Sequence, residues 1–315
     1  MSKESVFHHF VPRSILRNFE NEDGKIFVFD KKNSNSFASN INDAGAENNF
    51  NTSSIDGVKN NFEHIFQEND GKVAVLIRRL KELENDFNLS EEETYQLAKI
   101  TLIQSFRTKL PRTDSIGVAK DLAKKLGLLL RDMEEIEKNE LPASMTEEGS
   151  KSITPSLLNK INELLPYYLE RSVVVFRANE QNPLWCSDNP VIIQNQDPQK
   201  GRALLNEGTH IYFPISKTLL VAFYCKETSY KIKIAYEICV KENREMPINL
   251  KDLYNGIVNK KILKLDESEI YFYNFNQIIN SSRFIYSSEN EFLIAKDILS
   301  TNPQFREISR TSRML

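Results

Sequence analysis

Apolar positions follow two regimes along the chain. Between residues 61 and 170 they recur at helical spacing; from Ser172 they alternate or gather in short runs. Phe62, Ile65, Phe66, Val73, Leu76, Ile77 and Leu80 predict a helix over residues 61–83, with Gly71 a place where it kinks or splits. Ser90-Glu91-Glu92-Glu93 is a capping box. The Ser90 hydroxyl can accept from the Glu93 amide while the Glu93 carboxylate reaches back to the Ser90 amide. The helix it opens should run to about Leu110, where Pro111 discourages continuation. Another helix is expected over residues 115–139. Residues 140–154, with Pro142, Gly149 and several serines, read as a linker. Thr154-Pro155 then has the form of an N-cap plus a first-turn proline. Leu157, Leu158, Ile161, Leu164, Leu165 and Tyr168 form the apolar stripe of the helix that follows.

Before this block, Glu22-Asp23-Gly24-Lys25 has turn character and residues 25–30 are β-branched and aromatic, which predicts a strand. Residues 31–61, rich in asparagine and serine, are expected to form a long loop with one short strand near Phe37. Beyond the block, strands are predicted at 172–177, 184–187, 191–194, 210–214, 219–224 and 284–286. Helices are predicted at 249–263, 267–280 and 289–300. The expected class is α+β: a helical bundle in the N-terminal half packed on a mostly antiparallel sheet in the C-terminal half. The sub-regions are 1–60, 61–170 and 171–315, read as one composite domain over 1–315.

Composition removes classes rather than naming one. The chain has 315 residues, with 41 Lys plus Arg against 44 Asp plus Glu and a formal net charge of -3. A binder that works through a wholly basic surface is excluded, but a local basic site is not. Three separated cysteines, Cys186, Cys225 and Cys239, form no disulfide framework or cysteine-rich zinc pattern, so a reducing, cytoplasmic setting is expected. The N-terminus lacks the apolar core of a signal peptide. No apolar run approaches the roughly 18–20 residues that span a bilayer, so no membrane partner is expected. No Walker A loop, G-x-G-x-x-G, G-x-S-x-G or H-E-x-x-H occurs, so no nucleotide cofactor is expected.

Five clusters could carry chemistry. His8-His9-Phe10-Val11-Pro12-Arg13 holds two of the four histidines. Histidine suits general-base work and metal binding, but neighbours on a strand point to opposite sides, so one of the pair should be structural. Glu63 and Asp70 share one helical face, where hard oxygens could hold Mg²⁺ or Mn²⁺; a solvated polar face is the plainer alternative. Gln104, Arg107 and Thr108, with Arg112 beyond the proline, border an apolar surface. Arg107 there needs a partner: a phosphate, or a buried carboxylate. Asp188, in Ser187-Asp188-Asn189-Pro190, stands at a strand end, either capping a turn or acting as metal ligand or base. Neighbouring Cys186 sits in an apolar run and reads as a buried, inert thiol. Tyr273 to Tyr286, with Asn276 and Arg283, reads as core and rim packing rather than a base-stacking surface.

Taken in order, these pieces resemble a bacterial family known as domain-of-unknown-function family 4238. His9-Phe10-Val11-Pro12-Arg13-x-x-Leu16-x-Asn18-Phe19 looks like its opening signature. Gln104-x-x-Arg107-Thr108 with Arg112 looks like its central one, and Ser187-Asp188-Asn189-Pro190-Val191 with Phe213-Pro214-Ile215-Ser216 its downstream one. Asn276 and Arg283-Phe284-Ile285-Tyr286-Ser287 complete the order. Some members occur among anti-phage defence genes, so the resemblance implies a defence role. His8 to Arg13 is also similar to the first histidine element of HNH nucleases, although no Gly-Gly follows.

Together these point to a nuclease-like effector that cleaves phosphodiesters. His9, His8, Asp188 and Arg107 would be catalytic; Arg13, Gln104, Arg112 and Asn189 would bind substrate; and Glu63 and Asp188 would hold Mg²⁺ or Mn²⁺ if a metal is used. A metal-free RNase relying on His9 and Arg107 fits equally. DNA or RNA is the expected substrate and a phage-encoded component the expected trigger. The competing class is a non-catalytic sensor using the same polar pocket. Under either class, His9, Glu63, Arg107 and Asp188 should share one cleft.

Overall fold

The computed structural model describes residues 7–55, 58–61, 63–110, 160–201 and 203–306, with backbone alone for 53–55, 58–61, 63–65, 68 and 198. The expected helix at 115–139, the linker at 140–154, the Thr154-Pro155 cap, Arg112 and the arginines of the last residues lie outside the described set.

Ser172–Arg177 (β7), Ile192–Asn195 (β9), Thr209–Ser216 (β10), Leu219–Tyr224 (β11) and the short Leu263–Lys264 (β12) form a five-stranded sheet in the order β12-β7-β11-β10-β9. Neighbours are antiparallel except β12 against β7. Every residue of its strands β10 and β11 is buried, because both faces of the sheet are covered. One face, with Val173, Val175, Ile211, Phe213, Val221 and Phe223, packs on the helices Glu63–Glu82 (α2), Glu91–Arg107 (α3) and Ile161–Leu169 (α4). The other, with Val174, Phe176, Tyr212, Leu220 and Tyr224, meets Lys226–Lys241 (α5), Ile248–Val258 (α6) and Glu267–Asn280 (α7). Pro214 is tolerated in β10 because β9 pairs only as far as Tyr212 and the register slips between Pro214 and Ser216.

A second sheet has the order β3-β2-β13-β8: Asn35–Ser39, Ile26–Asp30, Phe284–Ser287 and Cys186–Ser187. Phe29 and Ile285 from it, with Trp185 and Ile278, pack on Leu293–Thr301 (α8) in a third core cluster. Strands from both ends of the chain meet here.

The fold is α+β. Helices and strands occur in both halves: β2 and β3 fall where strands are predicted at 25–30 and near Phe37, and α6, α7 and α8 where helices are predicted at 249–263, 267–280 and 289–300. The expected long loop over 31–61 carries β3 and two small ribbons. In one, Phe7–His9 (β1) pairs with Ala46–Asn48 (β4); in the other, Thr52–Ile55 (β5) pairs with Val58–Asn61 (β6). Gly71 does not split α2, which is continuous over Glu63–Glu82. α5 carries no sequence prediction: Tyr230, Ile232, Ile234, Tyr236, Ile238 and Val240 alternate like a strand, yet the segment folds as a helix that buries only Ser229, Ile232 and Cys239.

The site-bearing N-terminal arm is fixed at Gly45. Its carbonyl accepts from the amides of Phe10 and Val11 at 2.8 and 3.1 Å. Its φ is +64°, and a Cβ would stand 3.0 Å from Leu16 Cδ1 and 3.1 Å from Val11 Cβ. Gly45→Ala is expected to lower stability by about 1–3 kcal/mol, read as a fall in denaturation midpoint. An unchanged midpoint would show that the arm is not anchored there.

Candidate functional site

Pro12 precedes the short helix Arg13–Leu16 (α1), and its carbonyl accepts from the amides of Ile15 and Leu16. Helix α1 packs against α2, and the groove between them is the cleft that holds His9. Strand β1 sorts the two histidines. His8 is wholly buried and its Nδ1 accepts the Asn51 amide at 3.0 Å, so it works in the core. His9 faces the other way, into a cavity of about 770 Å³ shared with Arg13, Asp70 and Arg107.

His9 Nε2 lies 3.3 Å from the Ile41 carbonyl. A carbonyl only accepts, so Nε2 carries the proton of the neutral ring and Nδ1 is the basic nitrogen. Burial, with Arg13 and Arg107 nearby, holds His9 down from 6.5 to about 4. Arg107 is 1% exposed. It donates Nη1 to both Asp70 oxygens at 2.8 and 3.0 Å, and its guanidinium lies 4.6 Å from the Phe66 ring centre. Burial pushes the Asp70 carboxyl up, opposed by Arg107.

The other predicted residues are structural ties. Gln104 Nε2 donates to the Phe10 carbonyl at 2.9 Å. Thr108 donates to Asn189 Oδ1 at 2.8 Å, and Asn189 Nδ2 donates to the Asn280 carbonyl at 3.1 Å. Helix α3 thus braces the arm, α2 and the turn at 188–190 with three successive polar groups. Asp188 does not line the His9 cleft. It is 1% exposed, and its oxygens accept from the amides of Ser282, Arg283 and Phe284 at 2.6, 2.7 and 2.9 Å. The amides it serves are not those of its own turn, as the plainer sequence reading has it, but those that open β13, and it does not join His9 among the residues lining the cleft. Asn189, committed on both sides, likewise stands away from the cleft. Glu63 opens α2, but its side chain lies outside the described residues. Among the described residues no three His, Cys, Asp or Glu groups gather as a metal site. Asp188 gives its oxygens to backbone amides, and Asp70, at the cleft, gives both of its oxygens to Arg107. Cys186 is buried, and burial raises its thiol well above the usual range.

The cleft also contains Asn18 of the opening signature and three residues that sequence reasoning passed over: Arg17, Arg78 and Lys81. The signal was present in α2. Gln67, Gly71, Ala74, Arg78 and Lys81 step by four and three residues, opposite the apolar Phe66, Val73, Ile77 and Leu80.

The chain matches the family described as protein of unknown function (DUF4238) over residues 8–291, and it belongs to that family. No curated protein and no solved structure matches it. No helix among the described residues is long and apolar enough to cross a membrane.

Two outcomes are expected. Asp188→Ala should lower stability by about 3 kcal/mol or more, because three buried amides lose their acceptor at about 1 kcal/mol or more each. Urea denaturation reads this as a lower midpoint at constant slope; wild-type stability would remove the structural role. Second, the folded chain keeps His9 neutral while the unfolded chain protonates it. Stability should therefore fall as pH drops from 6.5 to about 4. Arg13→Gln should move the His9 ring titration, followed by NMR, upward; a titration near 6.5 in the parent would contradict the buried, cation-flanked site.

Proposed function

We propose that this chain is a nuclease-like effector of anti-phage defence that cleaves phosphodiester bonds at His9. The observation that carries this is the pairing of an uncharged imidazole with Arg13 and Arg107 in one accessible cleft. Arg13, exposed at the start of α1, holds a phosphate oxygen. Arg107, paired with Asp70 and set against Phe66, holds the floor of the site beneath. His9 Nδ1 then takes a proton from the attacking hydroxyl, either water or the 2′-hydroxyl of RNA; as the new P–O bond forms, the P–O bond to the leaving oxygen breaks and that oxygen takes a proton from solvent. The resulting imidazolium keeps its Nε2–H on the Ile41 carbonyl and gains the bound phosphate as a counter-charge. That counter-charge draws the base up from its resting value. The chemistry needs no metal; Mg²⁺ or Mn²⁺ could enter with the phosphate.

A non-catalytic sensor of a phage component or nucleic acid is the alternative. It is favoured by one feature: among the described residues, no hydrogen bond joins His9 to a carboxylate, since Asp70 serves Arg107.

Full-length protein and His9→Ala, matched for melting temperature, should be compared on labelled RNA and DNA with Mg²⁺, with Mn²⁺ and with chelator. Loss of His9 should slow cleavage by about 10²–10⁴-fold. A parent that cleaves nothing, together with a His9→Ala variant that still protects cells from phage, would falsify cleavage and leave the sensor.

A further inference from the structure

The cleft extends well beyond His9. One wall is α1 and the 3-10 turn after it, presenting Arg13 and Arg17; the other is the outer face of α2, presenting Arg78 and Lys81. All four cations are exposed, and none forms an ion pair among the described residues. Between the walls lie the small residues Ser14, Gly71 and Ala74 and two carboxylates, Asp70, which pairs with Arg107, and Glu82 at the end of α2. The walls draw together where Lys81 Nζ lies 3.5 Å from Asn18 Oδ1. From Gln67 to Lys81 the α2 wall runs roughly 21 Å at about 1.5 Å per residue. A chain with a net charge of -3 has gathered unpaired cations along one groove.

We infer that this groove is a track for the phosphate backbone of single-stranded nucleic acid, leading to His9 and reading no base sequence. The inference deepens the reading of His9 as a phosphodiester site and rests on it. Three features set the ligand class. The track is too long for one phosphate, and its cations lie on both sides rather than converging on a point. It does not admit a duplex between its walls: packed helices stand about 8–10 Å apart, and a duplex is wide enough for its own major groove to take in a whole helix. Bases have no aromatic face to stack on, since no Phe, Tyr or Trp lines the cleft among the described residues, so contact falls to the phosphates. Arg78, Lys81 and Arg17 hold the strand, and the small floor lets its backbone approach.

The test is fluorescence anisotropy on the full-length protein with labelled oligonucleotides: oligo-dT, oligo-U, a mixed-sequence single strand and its duplex. Salt is varied in each case, and cleavage is followed in parallel. The single strands should bind alike and more tightly than the duplex. The log–log salt slope should approach about −3 if all four cations are engaged, at about −0.7 per phosphate neutralised. Arg78→Ala and Lys81→Ala, both on the exposed face of α2, should each flatten the slope by about 0.7 with unchanged melting temperature. A preference for oligo-U over oligo-dT with the same slope keeps the track and assigns it to RNA. Equal or tighter duplex binding, or slopes unmoved in both variants, overturns the track. Strand binding with the expected slope but no cleavage keeps the track and removes the chemistry at His9. Cleavage of duplex in preference to single strands keeps the chemistry and overturns the track.

Discussion

A carboxylate taken out of water must receive its donors from the protein, and Asp188 receives three, all from consecutive backbone amides at the start of β13. That demand shapes the region around it. The turn at 188–190 is held against the end of α7, where Asn189 reaches the Asn280 carbonyl and Gln277 takes both the Ser187 hydroxyl and the Pro190 carbonyl. Lys31, itself buried, donates to the carbonyls of Ile278 and Ser281 at 2.7 Å each, and burial lowers it to about 8. Arg283 grips Asp30 with Nε and Nη2. Charges from the two ends of the chain thus tie together the sheet in which β2 and β13 pair.

The cleft is built by a different economy of contacts. Its floor is rigid: Arg107 is sandwiched by Asp70 and Phe66, Gln104 grips the Phe10 carbonyl, and Gly45 lets the arm lie close. Its walls are exposed and cationic. Rigid support under accessible charge is what an anion site requires, since ordering entropy is spent in folding rather than on binding. Most of the residues that mark the family by sequence thus serve the scaffold, and the surfaces that meet a ligand include residues outside those motifs.

Sequence alone determined the elements whose cues are local and strong. The capping box at Ser90, the strands at 172–177 and 219–224, the helix at 267–280 and the opposite facing of His8 and His9 all follow from neighbours along the chain. It also marked Arg107 as an arginine in need of a partner and Cys186 as inert. The tertiary structure decided the partners. Whether Asp188 is a ligand or a brace turns on amides some 94 residues further along the chain. Whether Arg107 meets phosphate or carboxylate turns on Asp70, 37 residues before it. Charged side chains carry the same chemical potential for either role, and only the donors, acceptors and water that the fold places around them select one.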